Sequence, residues 1–311
     1  MLAAISSESA AFGSLAVYLV LIAAAAYAGG SSITFLSLGH RRMQVLLSLT
    51  GGVMLGVGLL HLLPHAYLEL SRQIDVTVTW VLAGFFVMFL LERAFHGHAH
   101  HAADGSHGCG HDHHHDHAHG HAHPPAAPAN RSGPWAWCGA FAGLALHSLA
   151  DGAALAASVG ADGGHGGGLL AGFATFLAIV LHKPFDSGII ATLMIDAGAS
   201  VGARRRVNAL YALVVPLGAA LFLGSLRLFG GNQGAILGAA LAMAAGAFIC
   251  IAAADLLPEV EFHSHDRLLL TASLTIGITI AWGITVMEHS SHAHAIHSGG
   301  ATERGGQISA P

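Results

Sequence analysis

Long apolar runs separated by polar breaks dominate the chain, falling near residues 11–36, 44–69, 76–95, 135–159, 168–195, 208–229, 233–259 and 268–287. Each approaches or exceeds the roughly 20 residues that a helix needs to cross a hydrocarbon core about 30 Å thick. The runs are continuous rather than alternating, which predicts an all-α polytopic membrane protein of eight transmembrane helices, each satisfying its own backbone hydrogen bonds as lipid requires. The first thirty residues lack a basic n-region, carry Glu8 and run apolar for longer than a signal-peptide core. They are therefore read as the start of the first span.

Composition agrees with lipid as the solvent. Of 311 residues 54% are hydrophobic and 9% charged, against roughly 25% charged in an ordinary soluble domain. The 41 glycines and many alanines let helices approach closely, and small-residue faces such as GSLAVYLVLIAAAAYAGG permit pairing into a homodimer. The net charge of −5 comes with no dense basic patch, which excludes nucleic acid as a partner. Cys109, Cys138 and Cys250 form neither a disulfide framework nor a thiolate zinc cage.

The basic residues set an orientation. With eight spans both termini share a side, and placing them outside leaves Arg41, Arg42, Arg93, Arg131, Arg204, Arg205, Arg206 and Arg267 inside. Arg72, Arg227 and Arg304 then lie outside, and Lys183 falls within a helix. Short cytoplasmic loops collect Lys and Arg, so both termini are expected outside.

The chain thus divides into residues 1–95 with helices 1–3, a cytoplasmic loop over 96–133, residues 134–288 with helices 4–8, and a His-containing tail over 289–311. The segment His96–His123 carries thirteen of the 25 histidines and is too polar and repetitive to build a core, so a disordered loop is expected. His111, His113, His115 and His117, with Asp104, Asp112 and Asp116, can buffer zinc-like ions there. A solvated linker with incidental metal affinity is the plainer alternative. Pro124, Pro125 and Pro128 stiffen its end.

Two spans carry ionisable groups where lipid makes them costly. The fourth contains His147-Ser-Leu-Ala-Asp151 and the fifth His182-Lys-Pro-Phe-Asp186. A spacing of i, i+4 puts histidine and carboxylate on one helical face, and such groups in a membrane mark an ion path or a pairing partner. Two imidazoles and two carboxylates suit Zn²⁺, Fe²⁺, Mn²⁺ or Cd²⁺ as transported substrate, whereas Mg²⁺ and Ca²⁺ prefer oxygen alone. No organic cofactor is expected. Pro184 removes a backbone hydrogen bond and predicts a kink beside His182. The competing account makes both histidines hydrogen-bonded core residues and pairs Asp186 with Lys183.

HSLADG and HKPFDS resemble the paired fourth- and fifth-helix signatures of the ZIP (Zrt/Irt-like) family of metal transporters. LLHLLPHA in the second span, GFFVMFLLER in the third and AGAFICIAAADLLPE in the seventh are similar to that family's segments. The resemblance covers roughly Gly30 to Glu288. It implies eight helices with outer termini, metal movement into the cytoplasm, and a primary transport site of His147, Asp151, His182 and Asp186, with Ser148 serving a neighbouring site.

Departures from the family pattern are equally informative. Many members hold a second ion with an acidic residue after the fifth-helix histidine and another before a proline in the sixth helix. Here those positions are Lys183 and Val215, the latter before Pro216, which implies one ion per site with the Lys183 ammonium in place of the second. Pro184 stands at i+2 from His182 where the common pattern has i+3. His61, His65 and Glu69 form either an entrance relay or an interfacial polar cap. Asp255 and Glu259 suggest an exit relay toward His263 and His265, and the stretch His289–His297 is either an outer metal collector or a disordered tail.

These residues predict a carrier working by alternating access. An intramembrane metalloenzyme is disfavoured, since no HExxH is present and no general base stands beside the site. A membrane-anchored metal sensor or store acting through the His-rich loop is the main alternative, and ligand chemistry alone does not exclude an exporter.

Overall fold

The computed structural model of the chain describes residues 2–32, 40–96, 136–164, 170–228, 231–262 and 267–303. Among them eight helices are long and apolar enough to cross a membrane, and no strand occurs. They are α1 (Leu2–Ser32), α2 (His40–Val57, a π-helical turn Gly58–Leu62, then Leu63–Glu69), α3 (Ile74–His96), α4 (Ala136–Gly164), α5 (Phe173–Asp196), α6 (Val201–Ala212 and Val214–Leu228), α7 (Gln233–Phe262) and α8 (Arg267–Glu303).

The closest pairings are α2 with α8, α3 with α7, α4 with α6 and α1 with α5. Glycine makes each of them possible. A Cβ on Gly84 would strike the Met243 carbonyl and one on Gly246 the Val81 carbonyl, so α3 and α7 approach backbone to backbone. Gly52 and Gly277 meet the Leu274 and Leu49 carbonyls between α2 and α8 in the same reciprocal way. Gly152 and Gly218 do so with Val215 and Leu149 between α4 and α6, and Gly29 of α1 lies against Pro184 of α5. Without a hydrophobic drive between helices in lipid, such close approach supplies the van der Waals contact that holds a bundle. Replacing Gly246 with Leu is therefore expected to push α3 from α7 and lower the melting temperature in detergent. Overpacking of this kind costs about 1–3 kcal/mol or more.

Large apolar side chains such as Val20, Phe86, Leu217, Leu221 and Trp282 point outward, as a lipid-facing surface requires. Inside, α4 and α5 pack together and are flanked by α1, α2, α6 and α7. A core of Leu155, Ile179, Met54, Val57, Leu62, Leu241 and Phe248, each at most 1% exposed, fills the space between them.

Several ends differ from the apolar runs, for reasons of local chemistry. Helix α6 begins at Val201, not near 208, because the Ser200 hydroxyl caps it by accepting from the Ala203 N–H at 3.3 Å. Arg204–Arg206 then extend the helix beyond its apolar part. Helix α4 runs on through Asp162 to Gly164 rather than ending near 159. Helix α8 continues to Glu303, so the stretch His289–His297 is a helical extension and not a disordered tail.

Helix α5 runs through Pro184 without interruption. Proline costs that helix only the bond to the Val180 carbonyl, and Ser187 Oγ lies 3.1 Å from both the Lys183 and Pro184 carbonyls, bracing the next turn. The irregular turns lie elsewhere. In α2 the Leu63 N–H donates to the Gly58 carbonyl, widening the helix one turn ahead of Pro64, and α6 is interrupted at Leu213 before Pro216.

Candidate metal site

The i, i+4 spacing in α4 and α5 is realised as a convergence of four side chains. His147 Nε2 and His182 Nε2 lie 3.3 Å apart. Asp151 Oδ2 stands 3.3 Å from the first and 3.2 Å from the second, and Asp186 Oδ2 is 3.9 Å from each. A tetrahedral zinc with bonds of 2.0–2.2 Å has ligand–ligand edges of roughly 3.3–3.6 Å. The two imidazole nitrogens and Asp151 Oδ2 stand near that spacing and Asp186 Oδ2 somewhat beyond it, with Lys183 Nζ between the two carboxylates.

Neighbouring groups orient these donors. His182 Nδ1 lies 2.8 Å from the Ala178 carbonyl. Since a carbonyl only accepts, Nδ1 donates there, which leaves Nε2, facing Asp151 and His147, as the nitrogen for an ion, the arrangement common to metal-binding histidines. His147 Nδ1 is buried without a hydrogen-bond partner among the described residues. A cavity of about 190 Å³ between α3, α4 and α7 reaches His147, walled by small residues that include Ala150, Ala154, Ala244 and Ala247.

Lys183 is fully buried. Its ammonium bonds Asp151 Oδ2 closely and Asp186 Oδ2 at 2.9 Å, so it serves both carboxylates rather than the one that the simple core account requires. Tyr211 of α6 donates to Asp186 Oδ2 at 3.2 Å and lies 2.9 Å from Ser148 Oγ. Ser148 Oγ also lies 2.7 Å from the Leu144 carbonyl, its one proton serving either that carbonyl or Tyr211 Oη, and these contacts do not reach the imidazoles. Val215 is buried, with its carbonyl against Gly152 beside Asp151, and offers no donor side chain there.

A second group lies about 16 Å from Asp151, eleven residues further along α4. His61 and His65 of α2 face Asp162, at 3.6 Å and 3.4 Å. Sequence reasoning missed Asp162 because it lies beyond the apolar run, although it continues the face of Asp151 three turns on. It missed Tyr211 because nothing in the spacing of α6 singles it out. Glu69 stands apart from this cluster, its carboxylate against Gly234 at the start of α7. Asp255 and Glu259 fall within α7, but their side chains lie outside the described residues, as do His263, His265 and the loop histidines His111, His113, His115 and His117.

Eight apolar helices around buried imidazoles and carboxylates define a multi-pass membrane protein whose polar centre has the donor chemistry of a divalent-metal site. A model of the ZIP zinc transporter family matches residues 9–288, and the chain belongs to that family. Its class is that of divalent metal transporters. No curated protein matches the chain in sequence.

Proposed function

We propose that the chain carries divalent transition metals, zinc foremost, into the cytoplasm by alternating access through one mononuclear site. The observation that carries this reading is the convergence of His147 Nε2, His182 Nε2 and the carboxylates of Asp151 and Asp186 within 3.9 Å of the imidazole nitrogens. The ion exchanges water for these donors, and helix rocking releases it on the far side. Outer termini, which the charge bias of the loops supports, go with a plasma-membrane setting and with residues 96–133 as a cytoplasmic buffer.

Lys183 explains how one ion suffices. With both imidazoles neutral, two carboxylates and one ammonium leave the unloaded centre at one net negative charge, and a divalent ion brings it to one net positive charge. Neither state buries a large uncompensated charge in a low dielectric. Protons compete with metal for imidazole and carboxylate donors, so uptake falls as the solution is acidified. Nothing in this reaction needs an organic cofactor or bond-breaking chemistry.

Competition in proteoliposomes tests the substrate class. Zinc uptake is expected to be inhibited by Cd²⁺, Fe²⁺ and Mn²⁺ and to be insensitive to equal concentrations of Mg²⁺ and Ca²⁺. A chain lacking residues 96–123 should retain uptake. Loss of all uptake on that deletion would favour a loop-based sensor or store instead.

A further inference from the structure

We propose that His61, His65 and Asp162 form a second metal-binding site, one that loads the transport centre from the outer side; its outer placement and loading role rest on the function proposed above, its metal binding does not. His61 Nε2 stands 3.6 Å from Asp162 Oδ2 and His65 Nε2 3.4 Å from Asp162 Oδ1, with the two rings 4.7 Å apart between centroids. Three ligand atoms, one from each residue, fall within 4.8 Å of one another. His₂Asp is donor chemistry for a borderline divalent ion.

The surroundings hold these donors in place. His61 Nε2 lies 3.1 Å from Ser158 Oγ, which accepts from Thr175 Oγ1 at 2.9 Å, tying α2, α4 and α5 together. Asp162 Oδ2 accepts the Gly172 N–H at 2.7 Å, where Gly172 has a positive φ of 75° at the start of α5. That bond fixes the carboxylate and leaves Oδ1 directed at His65. His61 itself sits in the π-helical turn Gly58–Leu62, a distortion frequent at functional sites.

Position along the helices gives the site its role. On α4 the sequence Asp151, Leu155, Ser158, Asp162 marches up one face, and on α5 His182, Ile179, Thr175 does the same. Each helix therefore presents a transport-centre residue, then one fully buried apolar residue, then a polar residue of the outer cluster or of the hydrogen bonds that hold it. Leu155 and Ile179 form an apolar layer between two polar ones. An ion held at the outer cluster waits one layer above the transport centre, and a helix shift that parts Leu155 from Ile179 passes it on.

The test uses the full chain in nanodiscs, where both faces meet reagent and transport plays no part. A His65→Cys variant keeps a metal-binding side chain and adds a thiol, whose alkylation by a small maleimide is followed by mass spectrometry of its peptide. Micromolar Zn²⁺ is expected to slow that alkylation at least tenfold. Adding His147→Ala should leave the protection intact, whereas adding Asp162→Asn, which keeps an oxygen for the Gly172 N–H, should reduce it below twofold. Protection that survives Asp162→Asn, or that vanishes with His147→Ala, overturns the proposal. As a second reading, bound zinc per chain should fall by one ion in His61→Gln relative to the unmodified chain, and no fall overturns it. A transporter without this outer site would fail these assays yet still move zinc, so the two failures are distinguishable.

Discussion

Replacing Lys183 with Met is expected to lower the metal-free melting temperature on the order of 10 °C, with zinc restoring most of the loss. The ammonium is the shared counter-ion of Asp151 and Asp186, and all three lie in the interior of the bundle. Removing one partner of a buried ion pair typically costs about 3–5 kcal/mol, because the other charge stays behind unpaired. A divalent ion can take over the neutralising role, so the variant should bind zinc more tightly than the parent and release it more slowly. In uptake assays both KM and kcat should fall. If the variant melts as the parent does and gains nothing from zinc, Lys183 is not the standing counter-ion of this site.

The second large effect is expected at Asp151. Its Oδ2 is the oxygen nearest both imidazole nitrogens and also the one that Lys183 grips most closely. Asp151→Asn preserves the shape and removes the charge, and zinc uptake should drop at least about 100-fold, the upper end of what loss of a supporting group around a metal costs. Asp186→Asn should be milder. Asp186 Oδ2 stands 3.9 Å from each imidazole nitrogen and shares its oxygen with Tyr211 as well as Lys183. Measured side by side in proteoliposomes, equal losses in the two variants would contradict this ranking.

How much of this was legible in the chain depends on the range of the interaction. The eight spans were readable because burial in lipid writes itself into runs of apolar residues. Their ends were not, since caps and charges set them: Ser200 starts α6 and Asp162 lies within α4, both outside the apolar runs. The four central side chains were readable because i, i+4 spacing is local to one helix, and two such pairs on consecutive antiparallel helices can meet. That Lys183 bridges both carboxylates depends on the relative rotation of α4 and α5, which no single-helix pattern encodes.

Tyr211 and Asp162 show where local reading ends. Tyr211 reaches Asp186 from a helix that is interrupted two residues later, at Leu213, and the packing of Gly152 and Gly218 is what brings α6 so near to α4. Asp162 meets His61 and His65 across more than ninety residues of sequence. Pro184 shows packing accommodating a residue that local rules disfavour within a helix. One lost hydrogen bond did not break a helix that Ser187 braces and that Gly29 of α1 packs against.

Uptake of radioactive zinc into proteoliposomes, measured for the intact chain and for His147→Ala in parallel, tests the central claim most directly. The account predicts saturable uptake by the intact chain that disappears in the variant while its fold, followed by melting temperature, survives. Uptake undiminished in His147→Ala, or none in the intact chain, would contradict transport through this site.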